Sequence, residues 1–383
     1  MATINKYKNK NDKKYKYEYR IRYIDPISRK KREKCKKGFS SMAEAKAAAL
    51  EAERKLMAGL EESPISLEDY LGMWVKEYKQ DVVRANTLRQ HNYSINNHIL
   101  PYFKNILLKD VTPTRYQKFL NHLSDKGYSK RTITIVHTTF YNACERAVIL
   151  GKIEKNPCKD VIIKGKEKSK SVPFIESDDI GTFLKAAYAY NYYYWIFFKV
   201  LIETGMRKGE AAALQWTDID LKAKTISVTK TLDFQKKEGE DLFGDPKSFN
   251  SSRVITISQS LANDLHFHMK VQNQNKLTLN ELYHHDLNLV LSRQDGNYLP
   301  KSTLHNAMKR ILKRAELPDI PIHGLRHTHA VLLLESGAPM KYVQERLGHG
   351  SMEITADVYS HISKKIDAKA MDNFENYTKD ILN

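Results

Sequence analysis

Five of the fourteen histidines lie in one stretch near the C-terminal end of the sequence, HGLRHTHAVLLLESGAPMKYVQERLGHGSMEITADVYSH. The stretch opens with His323 and Arg326, passes through His349 and ends just after Tyr359. Imidazoles, a guanidinium and a phenol are groups that can bind metals, move protons or attack phosphorus. Four interpretations therefore compete: a metal site, a nucleophilic centre, a solvated basic face and an ordinary helical core.

A metal site is the weaker of these interpretations. Zinc sites use closely set His or Cys ligands, and catalytic ones keep a position open for water. The candidate ligands would be His323, His327, His329 and His349. Neither a Cys nor an Asp lies among these histidines to complete such a set. The guanidinium of Arg326 also stands next to His327, where a bound cation would be repelled. The pattern predicts no metal.

A helical core explains only part of the stretch. Leu325, Leu332 and Leu333 form one helical face, against which His327 or His329 can be a structural histidine. It does not explain His323 and Arg326. These lie three residues apart on one face at the start of a helix, where backbone N–H groups already favour an anion.

A second short stretch, ETGMRKGEAAALQW, carries Arg207 and Glu210. Arginine forks can bind the oxygens of a phosphate with two parallel hydrogen bonds. Tyrosine can form a covalent intermediate, but its ordinary pKa of about 10 makes it a poor nucleophile without help. Together these residue types can bind an anion and supply a nucleophile.

Composition bounds the partner and the compartment. The 383 residues are enough for two or three domains, and the net charge of +18 indicates a polyanion, most often nucleic acid. The longest apolar run, YYYWIFFKVLIETG, is short and contains Lys199, and the N-terminus MATINKYKNK has no apolar signal core. Three widely spaced cysteines argue against a disulfide framework. These features predict a cytoplasmic protein that acts on nucleic acid and does not enter a membrane.

The N-terminal residues concentrate the positive charge. Residues 1–40 hold 15 Lys and Arg against 4 Asp and Glu, which is 15 − 4 = +11 of the total +18. In KYKYEYRIRYI, Tyr15, Tyr17, Tyr19, Ile21 and Tyr23 alternate with charged residues, which predicts a strand with one buried and one cationic face. The following RKKREKCKKGF predicts a return strand, and Ser41 with Glu44 predicts a capping box before a helix. The candidate DNA contacts on the cationic face are Lys14, Lys16, Arg20 and Arg22, with Glu18 among them.

The middle of the chain predicts an all-helical unit. Leu67, Tyr70, Leu71, Trp74, Val75 and Tyr78 repeat at helical spacing behind a capping Ser66. Three more helices are expected in TLRQHNYSINNHILPYF, TPTRYQKFLNHLSDKG and SKRTITIVHTTFYNACERAVILG. Thr112 and Pro113 mark one start, and Gly127 and Gly151 mark stops. KGKEKSKS, residues 164–171, has no apolar residue and predicts a linker.

The remaining sequence predicts a mainly helical unit with a few strands. Ile180, Phe183, Leu184, Ala187 and Tyr188 form a helical stripe, TISVT and RVITI predict strands, and LHNAMKRILKRAEL predicts a basic helix. The expected fold is multidomain α+β. Its parts are a small sheet with one helix in residues 1–60, an all-helical domain in 61–165 and a mainly helical domain with a small sheet in 166–383.

At this point the motifs resemble a known family. TGMRKGE, HGLRHT, LGHGS and ITADVYSH, in this order and spacing across 172–383, look like the signature boxes of the tyrosine recombinases, the phage-integrase family. The two preceding units resemble the arm-site and core-DNA-binding domains of larger members. The whole chain is most similar to integrases of temperate phages and conjugative transposons of Gram-positive bacteria.

The resemblance implies a role for each group. Tyr359 would be the nucleophile, Arg207 and Arg326 the phosphate clamp, and His323 and His349 proton-handling or phosphate-binding groups. Glu210 would orient Arg207. A general-acid lysine is expected on a hairpin between the two strands, where GDPKSFNSSR resembles the family pattern Pro-Lys-Thr-x-x-Ser-x-Arg. That pattern nominates Lys247, with Lys230, Lys236 and Lys237 as competitors.

The resemblance also implies a reaction and its partners. Tyr359 would leave a 3′-phosphotyrosyl link and a free 5′-hydroxyl, without ATP, a metal or another cofactor. Four protomers would act on two DNA duplexes through a Holliday junction, assisted by host DNA-bending and excision-directionality proteins. Two alternatives stay open, a type IB topoisomerase and a DNA-binding regulator without enzymatic activity.

Overall fold

The computed structural model describes residues 2–8, 14–24, 31–57, 65–166, 173–236, 241–244, 252–348, 374–375 and 378–379. The chain divides into two compact units, Met1–Ser169 and Lys170–Asn383. Three of the predicted groups, Lys247, His349 and Tyr359, lie outside the described residues, as does Lys237. The mixed α+β fold that the sequence predicts is confirmed.

The first unit begins with a three-stranded antiparallel sheet in the order β1-β2-β3. The strands are β1 Thr3–Tyr7, β2 Lys16–Ile24 and β3 Lys31–Phe39, followed by helix α1 Met42–Met57. Tyr19, Ile21 and Phe39 pack against three alanines of α1, which confirms the predicted alternation and return strand. The sequence did not predict β1.

Three details of this sheet differ from expectation. Tyr15 precedes β2 and is exposed, because the strand begins only at Lys16. Glu18 is on the charged face as predicted but is only 4% exposed, because neighbouring polar side chains cover it. In the capping box the hydroxyl of Ser41 accepts from the Glu44 N–H at 3.2 Å, while the Glu44 carboxylate accepts from the N–H of Ser40 at 3.0 Å.

The predicted helical region follows in the same unit. Its helices are α2 Leu67–Tyr78, α3 Ala85–Ser94, α4 Leu100–Phe103, α5 Pro113–Asp125 and α6 Lys130–Ile149. A π-helical turn, Ile95–Ile99, joins α3 and α4, so the predicted second helix is confirmed with an internal irregularity. Ser66 and Thr112 cap α2 and α5 as expected, and Gly127 and Gly151 adopt φ of +82° and +66° just beyond α5 and α6.

The second unit is mainly helical and contains small antiparallel sheets. Its helices are α7 Ile180–Tyr190, α8 Tyr192–Thr204, α9 Lys208–Ala212, α10 Gln259–Leu279, α11 Lys301–Arg314, α12 Gly324–Glu335 and α13 Met340–Leu347. Its strands are β4 Ile219–Asp220, β5 Thr225–Val228, β6 Thr231–Leu232, β7 Phe243–Gly244 and β8 Arg253–Thr256.

The sheets of this unit agree with the predicted strands. β5 pairs with β8, as TISVT and RVITI predict, in the order β4-β5-β8, and β6 pairs with β7 between them in sequence. The α7 stripe is only partly right, since Phe183 and Ala187 are buried but Tyr188 is exposed.

The apolar run at 192–205 forms α8 at the centre of the second unit. Most of its side chains are buried, among them Phe197, Phe198 and Leu201. The helix ends where Gly205 adopts the left-handed conformation at φ +66°. Among the helices that the structure describes, none is long and apolar enough to cross a membrane.

Candidate active site

The turn after α8 positions the first arginine of the candidate site. A Cβ at Gly205 would lie 2.5 Å from Leu347 and 2.6 Å from His329, so the left-handed turn and the close packing both require glycine. Arg207 is the N-cap residue of α9. Its backbone N–H donates to Glu210 Oε2 at 2.9 Å and its Nη1 donates to Oε1 at 2.7 Å. The guanidinium is thereby fixed relative to its own backbone.

Glu210 is a buried carboxylate shared by two arginines. Besides Arg207, it accepts from Nη2 of Arg253 at 2.9 Å. Burial acts to raise the pKa of Glu210, but the charge and hydrogen bonds of Arg253 and Arg207 outweigh it and hold the pKa below its ordinary value. Glu210 is therefore ionised at neutral pH and can orient both cations, as predicted for Arg207.

Arg326 lies in the first turn of α12 and is only 2% exposed. Its Nη1 donates to the carbonyl of Gly205 at 2.7 Å, and its Nη2 donates to the carbonyl of Leu347. Burial, followed by the nearby charge of Arg207, lowers the pKa of Arg326 to about 9. The side chain stays cationic at neutral pH.

Three arginines converge on the last carbonyls of α13. Arg253 Nε donates to the Arg346 carbonyl at 2.8 Å, Arg326 to that of Leu347, and Arg207 Nη2 to that of Gly348 at 3.1 Å. The final carbonyls of a helix have no partner within it and carry partial negative charge. Arginines from three separate elements thus hold the end of the helix that leads directly to His349.

His323 immediately precedes α12 and faces the same arginines. Its ring stands edge-on to that of His327, with centroids 5.0 Å apart. Desolvation on its packed side, together with the positive groups of His327, Arg326 and Arg207, lowers the pKa of His323 to about 4, although another side of the residue reaches solvent. The imidazole is neutral at neutral pH and can either donate or accept a proton.

The other two histidines of the stretch behave differently from each other. His329 is buried and fully bonded, with Nδ1 2.7 Å from the Ile202 carbonyl and Nε2 accepting from Arg346 at 3.0 Å. It is the structural histidine that the core interpretation expected. His327 has a buried Nδ1 with no partner among the described residues. Among the residues that the structure describes, no group of three or more His, Cys, Asp or Glu could hold a metal ion.

The lysines of the hairpin region are only partly described. Lys230 is bound to Asp218 at 3.1 Å and also donates to Gln215. Lys236 is exposed beyond β6. Lys247, the preferred acid, remains a prediction that lies outside the described residues.

Arg253 is a member of the cluster that the sequence did not single out. It begins β8 and is the last residue of GDPKSFNSSR, where the family pattern also ends in arginine. That position in the motif was the available signal. Two of its partners, Glu210 and Arg346, are far away in sequence.

Comparisons with known proteins match each part of the chain. The phage integrase family matches residues 173–365, the N-terminal SAM-like domain of phage integrases matches 66–124, and an arm DNA-binding domain matches 4–56. A tyrosine recombinase XerC-like protein of Caldanaerobacter subterraneus subsp. tengcongensis is 30% identical over 329 residues, covering 80% of this chain and 82% of the relative. The ICEBs1 integrase of Bacillus subtilis is 27% identical over 327 residues, covering 84% and 87%.

Solved structures share the fold. The Tn1549 transposon integrase in complex with transposon right end DNA superposes with a TM-score of 0.65 at 18% identity, covering 81% of this chain and 99% of that one. A lambda integrase dimer bound to a core site gives 0.59 at 18% identity, covering 77% and 95%. The family match and the curated relatives favour neither the topoisomerase nor the non-enzymatic regulator. The chain therefore belongs to the phage integrase family and is a tyrosine-type site-specific recombinase, an enzyme that cuts and rejoins DNA strands.

Proposed function

We propose that Tyr359 is the nucleophile of this recombinase and that Arg207 and Arg326 bind the scissile phosphate. The Tyr359 oxygen attacks phosphorus and loses its proton, the bond from phosphorus to the 5′ oxygen breaks, and that oxygen takes up a proton. A 3′-phosphotyrosyl link remains. The 5′-hydroxyl of a partner strand then attacks the same phosphorus and releases Tyr359, so the bond energy is conserved without ATP.

The convergence of Arg207 and Arg326 beside His323 is the observation that carries the proposal. The two guanidiniums are close enough for one to lower the pKa of the other, a repulsion that a phosphate anion placed between them would relieve. Preorganised donors of this kind stabilise the charge that develops on the phosphate oxygens in the transition state. Their positions are fixed by Glu210, Gly205 and the end of α13 before any DNA binds.

His323 supports the same chemistry. A neutral imidazole can accept the phenol proton of Tyr359 or donate an N–H to a phosphate oxygen. Its low pKa, about 4, keeps it in that neutral form across the physiological range. We assign His349, the next residue but one after Leu347, a supporting role at the same phosphate.

The proton for the 5′ oxygen comes from Lys247 in this proposal. Lys230, a competing lysine, binds Asp218 and Gln215. If Lys230 transferred its proton, the Asp218 carboxylate would lose its cation. Lys247 lies in the segment between β7 and β8, close in sequence to Arg253, which contacts Glu210.

The remaining domains would hold the DNA. We propose that residues 1–60 bind arm sites and that 61–165 and 166–383 enclose the core site, with four protomers joining two duplexes. The arm DNA-binding match over 4–56 and the lambda integrase tetramer bound to a Holliday junction support this arrangement. The reaction would move a prophage or conjugative element within the cytoplasm of a bacterial host, with host DNA-bending and directionality proteins as further partners.

The nucleophile is tested with a nicked core-site duplex that traps the covalent complex. Wild-type protein should form a protein–DNA adduct that survives denaturation, because the nick lets the 5′ fragment diffuse away. Tyr359→Phe should form none while binding the duplex with an affinity close to wild type. An adduct on the Phe variant would show that another residue attacks. Chelation by EDTA should leave the wild-type adduct unchanged.

The acid is tested by replacing the leaving 5′ oxygen with sulfur. A general acid contributes about 10²–10⁴-fold when the leaving group is an alkoxide, whereas a thiolate leaves without a proton. Lys247→Ala should therefore cleave the ordinary duplex slowly and the sulfur duplex at nearly the wild-type rate. Lys230→Ala is the matched control. Sulfur rescue of Lys230→Ala, with Lys247→Ala active on ordinary DNA, would move the role to Lys230.

A further inference from the structure

The exposed face of the N-terminal sheet carries two arginines at its centre. Tyr19 and Ile21 of β2 point toward α1, so Arg20 and Arg22 point to the opposite face. β2 is the middle strand, and the residues paired with Arg20 on either side are the short Thr3 and Cys35. The Arg20 side chain therefore has no long neighbour directly beside it in the register.

Each of these arginines is held at its Nε atom by a carboxylate. Arg20 Nε donates to Glu18 Oε1 at 2.9 Å, and Arg22 Nε donates to Glu33 Oε2 at 2.9 Å. Arg20 Nη1 makes a longer contact with Glu33 at 3.4 Å. A guanidinium has five N–H donors, so these contacts leave donors on the terminal nitrogens of both. The carboxylates therefore orient each guanidinium through its Nε and leave the terminal nitrogens, Nη1 and Nη2, with further donors.

The carboxylates argue against a surface that binds only phosphates. Glu18 accepts from Arg20, from Asn5 at 3.4 Å and from Lys37 at 3.3 Å, and the bond from Arg20 is the main reason that its pKa lies below the usual value. Two carboxylate side chains at the centre of a phosphate-binding face would be unfavourable for such a ligand. They are compatible with a face whose arginines must be aimed at hydrogen-bond acceptors on base edges.

The spacing of the two arginines fits base pairs that are two steps apart. Residues two apart on one strand are separated by about 6.6–6.8 Å, and two base-pair steps rise about 6.8 Å. The major groove is wide enough for strands, and an arginine fork pairs with guanine O6 and N7. A face centred on two such forks matches a short guanine-containing sequence.

We propose that Arg20 and Arg22 read guanines about two base pairs apart in the major groove, with Glu18 and Glu33 as the positioning residues. This inference rests on the proposed arm-site function of residues 1–60 and adds the base that the domain recognises. Lys14 and Lys16, the other predicted contacts, would serve the phosphates and carry no sequence preference.

The test selects sites from a pool of random duplexes with the full chain and its variants. Wild type should recover a class of sites with guanines at this spacing. Arg20→Lys/Arg22→Lys keeps both charges but not the forks, so non-specific binding should persist while the guanine preference falls about 10- to 100-fold. Replacing the guanines by 7-deazaguanine removes the N7 acceptor. It should weaken the binding of wild type more than that of the lysine variant, because an ammonium group can also donate to guanine O6.

Glu18→Gln separates positioning from mere charge. It removes a negative charge, so binding to all DNA should be equal or stronger, yet the guanine preference should fall because a neutral amide oxygen holds Arg20 less firmly than the carboxylate does. A uniform gain for every sequence would overturn the role of Glu18. Glu33→Gln, at a more exposed carboxylate, provides the second variant if Glu18→Gln disturbs the sheet.

Two further outcomes distinguish this inference from the function on which it rests. A variant with Arg20, Arg22 and Lys37 all changed to alanine should lose the guanine class. If it selects the same sites as wild type, the arm-site function of this domain is wrong. If it loses that class but the double lysine variant retains it, the domain binds arm DNA and the guanine inference is wrong.

Discussion

The two units use the same pair of side chains, arginine and glutamate, in opposite environments. In the second unit, Lys170–Asn383, called the catalytic unit below, Glu210 binds Arg207 and Arg253. The side chains of Glu210 and Arg253 are 3% and 8% exposed. In the N-terminal sheet Glu33 binds Arg22, whose side chain is 83% exposed. The distances are alike, 2.9 Å for Arg253–Glu210 and for Arg22–Glu33. The two pairs differ mainly in how far their side chains are exposed to solvent.

Burial decides what each pair can do. A buried charge is costly unless every donor and acceptor is satisfied, which explains why Arg326 and Arg253 also bind backbone carbonyls. Such groups are held in one geometry, as the proposed attack on a single phosphate requires. Exposed pairs contribute little to stability. In the exposed pairs of the N-terminal sheet, the carboxylates orient Arg20 and Arg22 through Nε. The terminal nitrogens of these arginines keep donors for DNA.

Among changes to the arginines of the two units, the largest expected effect comes from removing Arg326. Arg326→Ala should slow cleavage of a nicked core-site duplex by about 10²–10³-fold, the usual loss for one preorganised stabilising group. It should also loosen the end of α13, so that amide hydrogens there exchange faster, because Arg326 binds the Leu347 carbonyl directly. Single-turnover cleavage and hydrogen exchange of α13 measure the two consequences.

Arg20→Ala is the matched control on a duplex without arm sites. It should leave both the cleavage rate and the exchange of α13 unchanged. Arg326→Lys, which keeps the positive charge, covers the possibility that the alanine variant does not fold. Wild-type cleavage by a folded Arg326 variant would remove this residue from the phosphate clamp.

Local signals made much of the fold predictable from the sequence. Ser66 and Thr112 sit directly before apolar residues at helical spacing, and each caps the helix expected there. The alternation that buries Tyr19 and Ile21 is equally local. The motif residues Arg207, His323 and Arg326 were identifiable because their types and order resemble a family.

Long-range pairing was not predictable in the same way. Arg253 meets the Arg346 carbonyl across 93 residues, and Arg207 meets that of Gly348 across 141. No periodicity in the sequence predicts such contacts. The hydrogen bonds from three arginines to the carbonyls at the end of α13 are therefore known only from the structure. The burial of Glu18 is a similar case, since it depends on Asn5 of β1, a strand with a weak alternation.

The smallest expected effects come from removing the arginine of one buried ion pair and of one exposed ion pair. Arg253→Gln removes a buried partner of Glu210 and of the Arg346 carbonyl, so it should destabilise the catalytic unit by roughly 1–3 kcal/mol and slow cleavage less than Arg326→Ala does. The Arg253 charge helps to hold the pKa of Glu210 below its ordinary value. Stability from an ionised Glu210 is lost as pH falls through its folded pKa, so the variant should lose that stability at a higher pH than wild type.

Arg22→Gln breaks a pair of the same length on the exposed sheet and is the control for that variant. It should change the stability of its own unit little and show no such pH dependence, because water already solvates both partners. Hydrogen exchange followed across a pH series reports each unit separately within the full chain. Equal destabilisation by the two variants would mean that burial does not distinguish the pairs. The claim that burial gives the arginines of the catalytic unit and those of the N-terminal sheet different roles would then be wrong.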